Sequence, residues 1–495
     1  MALVLLQGPW LARPVHYDEA NFLILARGAV TDPWRPHAVM LNWQGVRERA
    51  FDVLSNPPGI AWWLAPVAHL PVVVQRAWML PWLAPALWGA WRLGQRFGPA
   101  AQRDGAPRDA VARAGERAAL VLLTSPIVFL STAALLPDAP LYALTLAGVG
   151  GFVHAVDRER TTLGWALLAG SAAIFRYSGL VLVPVLALYA IRRGRSPLLA
   201  VPALLPIAAL ALHDLHAYEA VHLFAMGRFQ SVANTPLDLA HKAVASVCML
   251  GGAAALPIFP WTRRVAVGAA LGGLAALPWG AAAAGFGLLG GAALASVLDN
   301  GEAAPRDRRW LLAWGLLGMA FLLALRFTAT RYWLPFLPAV LLSFPSGRWT
   351  RRTLALQLSL GVLLAADEDR SARAQEDLAR QVARVGTGGF TGHWGWQWQL
   401  EQRGWTALDE GARPPSGSLV AIPREAWPQP LEAGCSRIVW EGYAQPPLPW
   451  LPRGYSSEVA ANLHASWIAG PPPVRTVKPW GFANDPYEQV RVCRE

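Results

Sequence analysis

Residues 135–160, "LLPDAPLYALTLAGVGGFVHAVDRER", decide the fold. The run from 139 to 156 carries no Asp, Glu, Lys or Arg and comes close to the ~20 apolar residues that a helix needs to cross a bilayer. Arg158 and Arg160 follow it. Arginines just beyond a span mark its cytoplasmic end, which leaves Asp138 on the outside. "PDAP" is also ordinary turn chemistry, so Asp138 is either the start of a span or a functional acid.

The rest of the chain repeats this pattern. Of 495 residues, 54% are hydrophobic and 15% charged, with a mean hydropathy of +0.30. That composition predicts a polytopic membrane protein rather than a string of soluble domains. The net charge of +11 does not indicate a nucleic-acid partner. Lysine occurs only at Lys242 and Lys478, and the other basic residues are arginines in short clusters between apolar runs, as in cytoplasmic loops.

Further apolar runs lie near 72–95, 117–136, 162–175, 178–191, 198–212, 242–260, 265–280, 281–298, 310–326, 331–346 and 353–366. With residues 1–12 they predict about 13 transmembrane helices. Arg176-Tyr177 splits one long stretch, and Pro278-Trp279 marks the turn in another. The arginine clusters fall on alternate loops: 92–113 (Arg92, Arg96, Arg103, Arg108, Arg113), 158–160, 192–195, 263–264, 306–309 and 348–352. Residues 1–12 are shorter than a span and lack the basic start and cleavage site of a signal peptide. Either the true start lies upstream or the first helix is unusually short.

This alternation puts the 13–57 loop, the "LLPDAPL" turn, the 213–241 loop and the tail outside, which in a bacterium is the periplasm. Two domains follow: a membrane domain, 1–366, and a small α/β domain, 367–495. In the tail, "SARAQEDLARQVARV" reads as an amphipathic helix and "GGFTGHWGW" as a strand leading into a helix. "GSLVAIP", "SRIVWEGY" and "YEQVRVC" read as strands, and "QPPLPWLPRG" and "AGPPPV" as loops. The tryptophans of "FTGHWGWQWQ" suit a small core or a membrane interface better than a sugar-stacking face. Cys435 and Cys493 are either a disulfide in an oxidising compartment or two separate thiols.

Charges near a membrane are costly, so those at the outer ends of spans need a reason. They are Asp18 and Glu19 in "HYDEANFLILARG", Asp138, Arg176, His213-Asp214 with His216, and Arg331. Arginine forks onto phosphate oxygens, and a carboxylate can take a proton from an attacking hydroxyl or amine. The set therefore suits transfer from a phosphate leaving group carried by a lipid, because nucleotide sugars and ATP are cytoplasmic. Blander readings stand beside it. Asp18 satisfies the rule for a helix N-cap, with Gly28 as the C-terminal signal. Arg176 and Arg331 could snorkel at the interface. The histidines near 213–216 read as a surface loop, with no metal site; whether a divalent metal takes part in transfer is not legible.

"YDEANFLILARG", "NPPGIAWWLAPV", "LLPDAPLYALTLAG", "FRYSGLVLVPVLALY" and "TRYWLPFLPAVLL" resemble, in order and topological position, motifs of GT-C fold glycosyltransferases. The resemblance covers about residues 1–366. It is strongest to bacterial relatives of protein O-mannosyltransferases and of the lipid A aminoarabinose transferase. It implies an inverting glycosyltransferase in the inner membrane that draws on a polyprenyl-phosphate sugar and passes the sugar to a lipid, glycan or protein. On matching positions, Asp18 would be the base, Glu19 its orienting neighbour and Asp138 a second acid. Arg176-Tyr177 and Arg331-Tyr332 would hold the donor phosphate. Where many relatives carry a charge before the proline pair, "LSNPPG" offers Asn56, a hydrogen-bonding group for sugar or phosphate. The rival classes are a transporter, which would line its spans with polar residues, and an inactive assembly partner.

Overall fold

The Asp138–Asp157 helix forms as expected and lies almost wholly inside the fold. Its length of about 30 Å, at ~1.5 Å per residue, separates two acids, and each meets arginine. At the C-terminal end Asp157 binds Arg96 at 2.7 Å and Arg193 at 2.7 Å. Arg96 also reaches Asp307 at 2.9 Å, and Arg192 pairs with the same carboxylate. Four loops expected on the cytoplasmic side thus meet in one ion network. Asp138, Asp18 and their partners gather at the other end.

The computed structural model describes all residues except Met1, Gln44, 99–106, 231–234, 256–261, 300–304, 343–347, Ala433 and 469–472. Arg103, the far ends of the runs 242–260 and 331–346, and most of "AGPPPV" lie outside the described residues, as do the side chains of Arg306 and Arg348. Among the described residues three helices are long and apolar enough to cross a membrane: Asp138–Asp157, Pro197–Tyr218 and Ala281–Leu298. A fourth is Arg108–Leu123 with Pro126–Thr132, if this pair, bent by 73°, counts as one. Several other expected runs are helical but broken at proline. Residues 72–95 divide into Val72–Ala77, Leu80–Trp82 and Leu83–Phe97, around Pro81. The 331–346 run divides into Thr330–Phe336 and Leu337–Leu341, at Pro335 and Pro338. The turn expected at Pro278 is present, between Arg263–Ala276 and Ala281–Asp299.

The boundary expected at 366 falls inside one continuous helix, Arg348–Val385. Past it, a five-stranded sheet runs in the order Thr406–Ala407, Gly388–Phe390, Leu419–Pro423, Glu488–Arg494, Arg437–Ala444. The first two pairings are parallel and the last two antiparallel. All four expected strands are therefore present, and Trp394–Glu401 is the expected helix. Trp396 is wholly buried in the core formed between this sheet and the long helix. Cys435 and Cys493 are joined as a disulfide.

Residues 213–218 are not loop. They end the Leu205–Tyr218 helix, and His222–Gln230 forms another. His213 contacts the Trp34 carbonyl at 2.8 Å, while Asp214 accepts a hydrogen bond from the His222 backbone at 3.2 Å. His213 thus ties the helix to the first loop, and Asp214 ties it to the helix that follows.

Candidate active site

The acidic pair sits where the chain turns sharply. Tyr17 has φ +45°, a backbone conformation uncommon for a bulky residue. Helix Glu19–Thr31 begins just after it, with Asp18 in the N-cap position. The Asp18 carboxylate makes no capping bond, contrary to expectation. Glu19 reaches back to the preceding turn, accepting a hydrogen bond from the His16 backbone N–H at 2.9 Å, outside the helix. Nor does Gly28 end the helix, which continues to Thr31. A Cβ on Gly28 would lie 2.3 Å from Val39 Cγ1, so glycine there lets the 36–39 segment cross the helix closely.

Glu19 is the buried anchor of the pair. Its two oxygens receive both terminal nitrogens of Arg76 at 2.6 Å each. They also accept from Arg13 at 3.1 Å and the Leu135 backbone at 3.2 Å. Arg76, wholly buried, donates further to the carbonyls of Arg13, Pro14 and Ala133, each at 3.1 Å. Arg13 also pairs with Glu368 on the long helix. Burial by itself pushes the Glu19 carboxyl up, but Arg76 and Arg13 outweigh it and hold the group down at about 2. With its lone pairs so occupied, Glu19 positions the site rather than moving a proton.

Asp18 turns the other way and meets Arg331 at 2.5 Å. Arg331 lies 5.9 Å from the centroid of the Tyr332 ring, and the Arg176 guanidinium lies 4.5 Å from the same ring. Arg176 sits in extended backbone at the break between Ala172–Phe175 and Tyr177–Val181, which frees its side chain to pair with Asp138. Five expected site residues thus form one chain: Asp18, Arg331, Tyr332, Arg176, Asp138. Nε and Nη1 of Arg331 and Oδ2 of Asp138 are buried without a hydrogen-bond partner. Buried arginine N–H groups left open in this way suit an anionic ligand.

The other two expected residues lie elsewhere. The Tyr177 hydroxyl bonds His222 Nδ1 at 2.6 Å, and His222 stacks on His37 at 4.9 Å. Asn56 belongs to this second group, its backbone within hydrogen-bonding reach of the His37 ring. Two hollows adjoin the acid–arginine chain, each measured with its open mouth. One, about 370 Å³, is lined by Arg331, His16, Tyr17, Glu368 and His464 among others. The second, about 300 Å³, is lined by Asp138, Trp82, Tyr142 and Leu334 among others. Ser131 borders both, so the two hollows share a wall. Among the described residues, no three His, Cys, Asp or Glu side chains are grouped to hold a metal.

Sequence reasoning missed Arg13, Arg76, His16, Glu368 and His464. Arg76 left a signal, an isolated arginine within the apolar run 72–95, where a charge implies a partner.

Two solved structures of ArnT from Cupriavidus metallidurans resemble this chain. The form bound to undecaprenyl phosphate is 16% identical, with 86% of this chain and 92% of that one covered and a TM-score of 0.43. The apo form is 14% identical, with coverage of 85% and 91% and a TM-score of 0.44. No family model matches, and no curated protein matches. TM-scores this low leave the site to be read from this chain's own geometry.

Proposed function

We propose that this chain is an inverting glycosyltransferase of the GT-C type, embedded in the bacterial inner membrane. It would take its sugar from a polyprenyl-phosphate donor on the outer face. The observation that carries this reading is the chain Asp18–Arg331–Tyr332–Arg176–Asp138 at the end of the bundle opposite the arginine-rich ion network. An arginine-rich inner end fits cytoplasmic loops, so the acid–arginine chain belongs outside. About 13 spans, some of them broken, would carry residues 1–366, and residues 367–495 would stand in the periplasm. The Cys435–Cys493 disulfide supports an oxidising surrounding for that tail.

In the reaction, Asp18 takes the proton from the acceptor hydroxyl or amine as that group attacks the anomeric carbon. The bond from that carbon to the phosphate oxygen breaks on the opposite face, inverting the centre and releasing polyprenyl phosphate. Arg331 and Arg176 bind the phosphate charge, and Tyr332 holds the two guanidinium groups in place. Asp138 orients Arg176 through one oxygen and offers the other to the substrate. The acceptor is a lipid, a glycan or a protein of the cell envelope.

The test supplies purified protein with labelled polyprenyl-phosphate sugars and envelope extracts, comparing wild type with Asp18→Asn. Removing a general base costs on the order of 10²–10⁴-fold in rate. Equal transfer by both proteins removes Asp18 from the mechanism, and no transfer by wild type from any donor favours a transporter or an assembly partner.

A further inference from the structure

At the end of the bundle that carries Asp157, Arg96, Arg192, Arg193 and Arg195 are matched by acid. Arg96 and Arg193 pair with Asp157, Arg96 and Arg192 with Asp307, and Arg195 with Glu159. Arg92, Arg158 and Arg160 are not matched, because among the described residues no carboxylate pairs with any of them. Arg92 Nη1 lies 3.5 Å from Gln95 Oε1, and its Nε is buried without a partner. The charges of all three act on His154, and that of Arg158 acts on Arg92 as well. Asp157 and Glu159, the acids next to Arg158 and Arg160 in sequence, are already engaged. Like charges grouped in this way repel one another, and an anion among them would remove the repulsion.

Aromatic rings border the cluster. The Arg92 guanidinium lies 5.6 Å from the Trp88 ring centroid and 5.0 Å from that of Trp91, and Trp88 stacks on Trp165 at 4.9 Å. Arg92 belongs to helix Leu83–Phe97, His154 to Asp138–Asp157 and Trp165 to Leu163–Gly170, so three helices build the cluster. A Cβ on Gly151 would lie 2.1 Å from the Trp165 ring, so glycine there lets the ring pack directly on the middle helix. Arg92 and the three tryptophans are half-buried, while Arg158 and Arg160 are exposed. Leu87 and Leu163, near Trp88 and Trp165 in sequence, are exposed too. Tryptophan at the ends of apolar helices sits at the level of the lipid headgroups, and arginine forks onto phosphate oxygens.

We infer that Arg92, Arg158 and Arg160 bind the headgroup phosphate of an anionic phospholipid, with Trp88 and Trp165 against the start of its chains. The rings and the exposed leucines favour a lipid over a free phosphate, since they offer an apolar surface beside the charge. With this end facing the cytoplasm, as proposed above, the lipid belongs to the inner leaflet. The inference rests on the membrane reading and not on the transfer reaction.

The test is native mass spectrometry of the full-length protein in detergent, titrated with phosphatidylglycerol and with phosphatidylcholine of the same chains. Wild type is expected to retain phosphatidylglycerol over phosphatidylcholine, and to do so in excess inorganic phosphate. One arginine at a lipid surface is worth about fivefold in affinity. Arg158→Gln should therefore weaken retention about fivefold, and Arg92→Gln/Arg158→Gln/Arg160→Gln about 100-fold. Arg113→Gln removes an arginine of the same side that is already paired with Asp109 and should change retention little. If the triple variant does not fold, Arg158→Gln/Arg160→Gln decides, at about 25-fold. Equal retention of the two lipids by wild type, unchanged retention in the folded variants, or a loss in Arg113→Gln equal to that in Arg158→Gln overturns the site. Displacement by inorganic phosphate overturns the lipid as its occupant. Retention as expected, without sugar transfer from any donor, removes the transfer reading and leaves the lipid site. Transfer together with unchanged retention removes the lipid site alone.

Discussion

Replacing Glu19 with glutamine should damage the fold more than any equally small change nearby. The side chain keeps its size but loses the charge that faces Arg76, whose guanidinium is fully buried, and Arg13. Leaving a buried charge without its partner costs about 3–5 kcal/mol. The carboxyl itself gives a similar figure. Held at about 2 instead of 4.5, it contributes about 3 kcal/mol at neutral pH, at roughly 1.4 kcal/mol per pH unit. Because the folded-state pKa is the lower one, this stability is fully present above about pH 4.5 and is lost as pH falls toward 2. The assay is thermal unfolding of the detergent-solubilised protein near pH 7, followed by tryptophan fluorescence, with Asp18→Asn alongside. Glu19 serves two buried guanidinium groups and Asp18 one, so Asp18→Asn should melt closer to wild type than Glu19→Gln. Glu19→Gln melting together with wild type would refute the anchoring role.

Two further predictions concern other parts of the fold. Burial pushes the Glu488 carboxyl up to about 8, so ionising it costs stability as pH rises from about 4.5 through 8. Glu488→Gln, whose amide oxygen can still accept from Arg424 and Glu425 N–H, should match wild type at pH 5 and exceed it at pH 8 in melting temperature; the reverse order contradicts this. Gly28→Val should destabilise by about 1–3 kcal/mol through overpacking against Val39, read as a lower melting point that Val39→Ala partly restores.

The parts of the fold legible in sequence were those fixed by local pattern. The uninterrupted run after Asp138 predicted its helix, and alternation predicted the strands at 419–423, 437–444 and 488–494. The break at Arg176 was visible because an arginine interrupts two apolar stretches, and it became the hinge that aims the side chain at Asp138. The partner of Asp18 was not legible. The cap rule named the right position, but a bond to Arg331, 313 residues away, took the carboxylate and left the helix end without a side-chain cap. Arg13, Glu368 and His464 escaped notice for the same reason. Each matters through a contact distant in sequence, and none leaves a periodic or spaced signal. Tyr177 shows the opposite error, since adjacency to Arg176 suggested a shared role while its hydroxyl turns to His222.

The central claim is that Arg176 and Arg331 form the binding site for a lipid phosphate. Native mass spectrometry of the solubilised protein with added polyprenyl phosphate tests it most directly, comparing wild type with Arg176→Met/Arg331→Met. Wild type should retain one polyprenyl phosphate, and the double variant, if still folded by its melting curve, should lose it. Equal retention by both proteins would contradict the account.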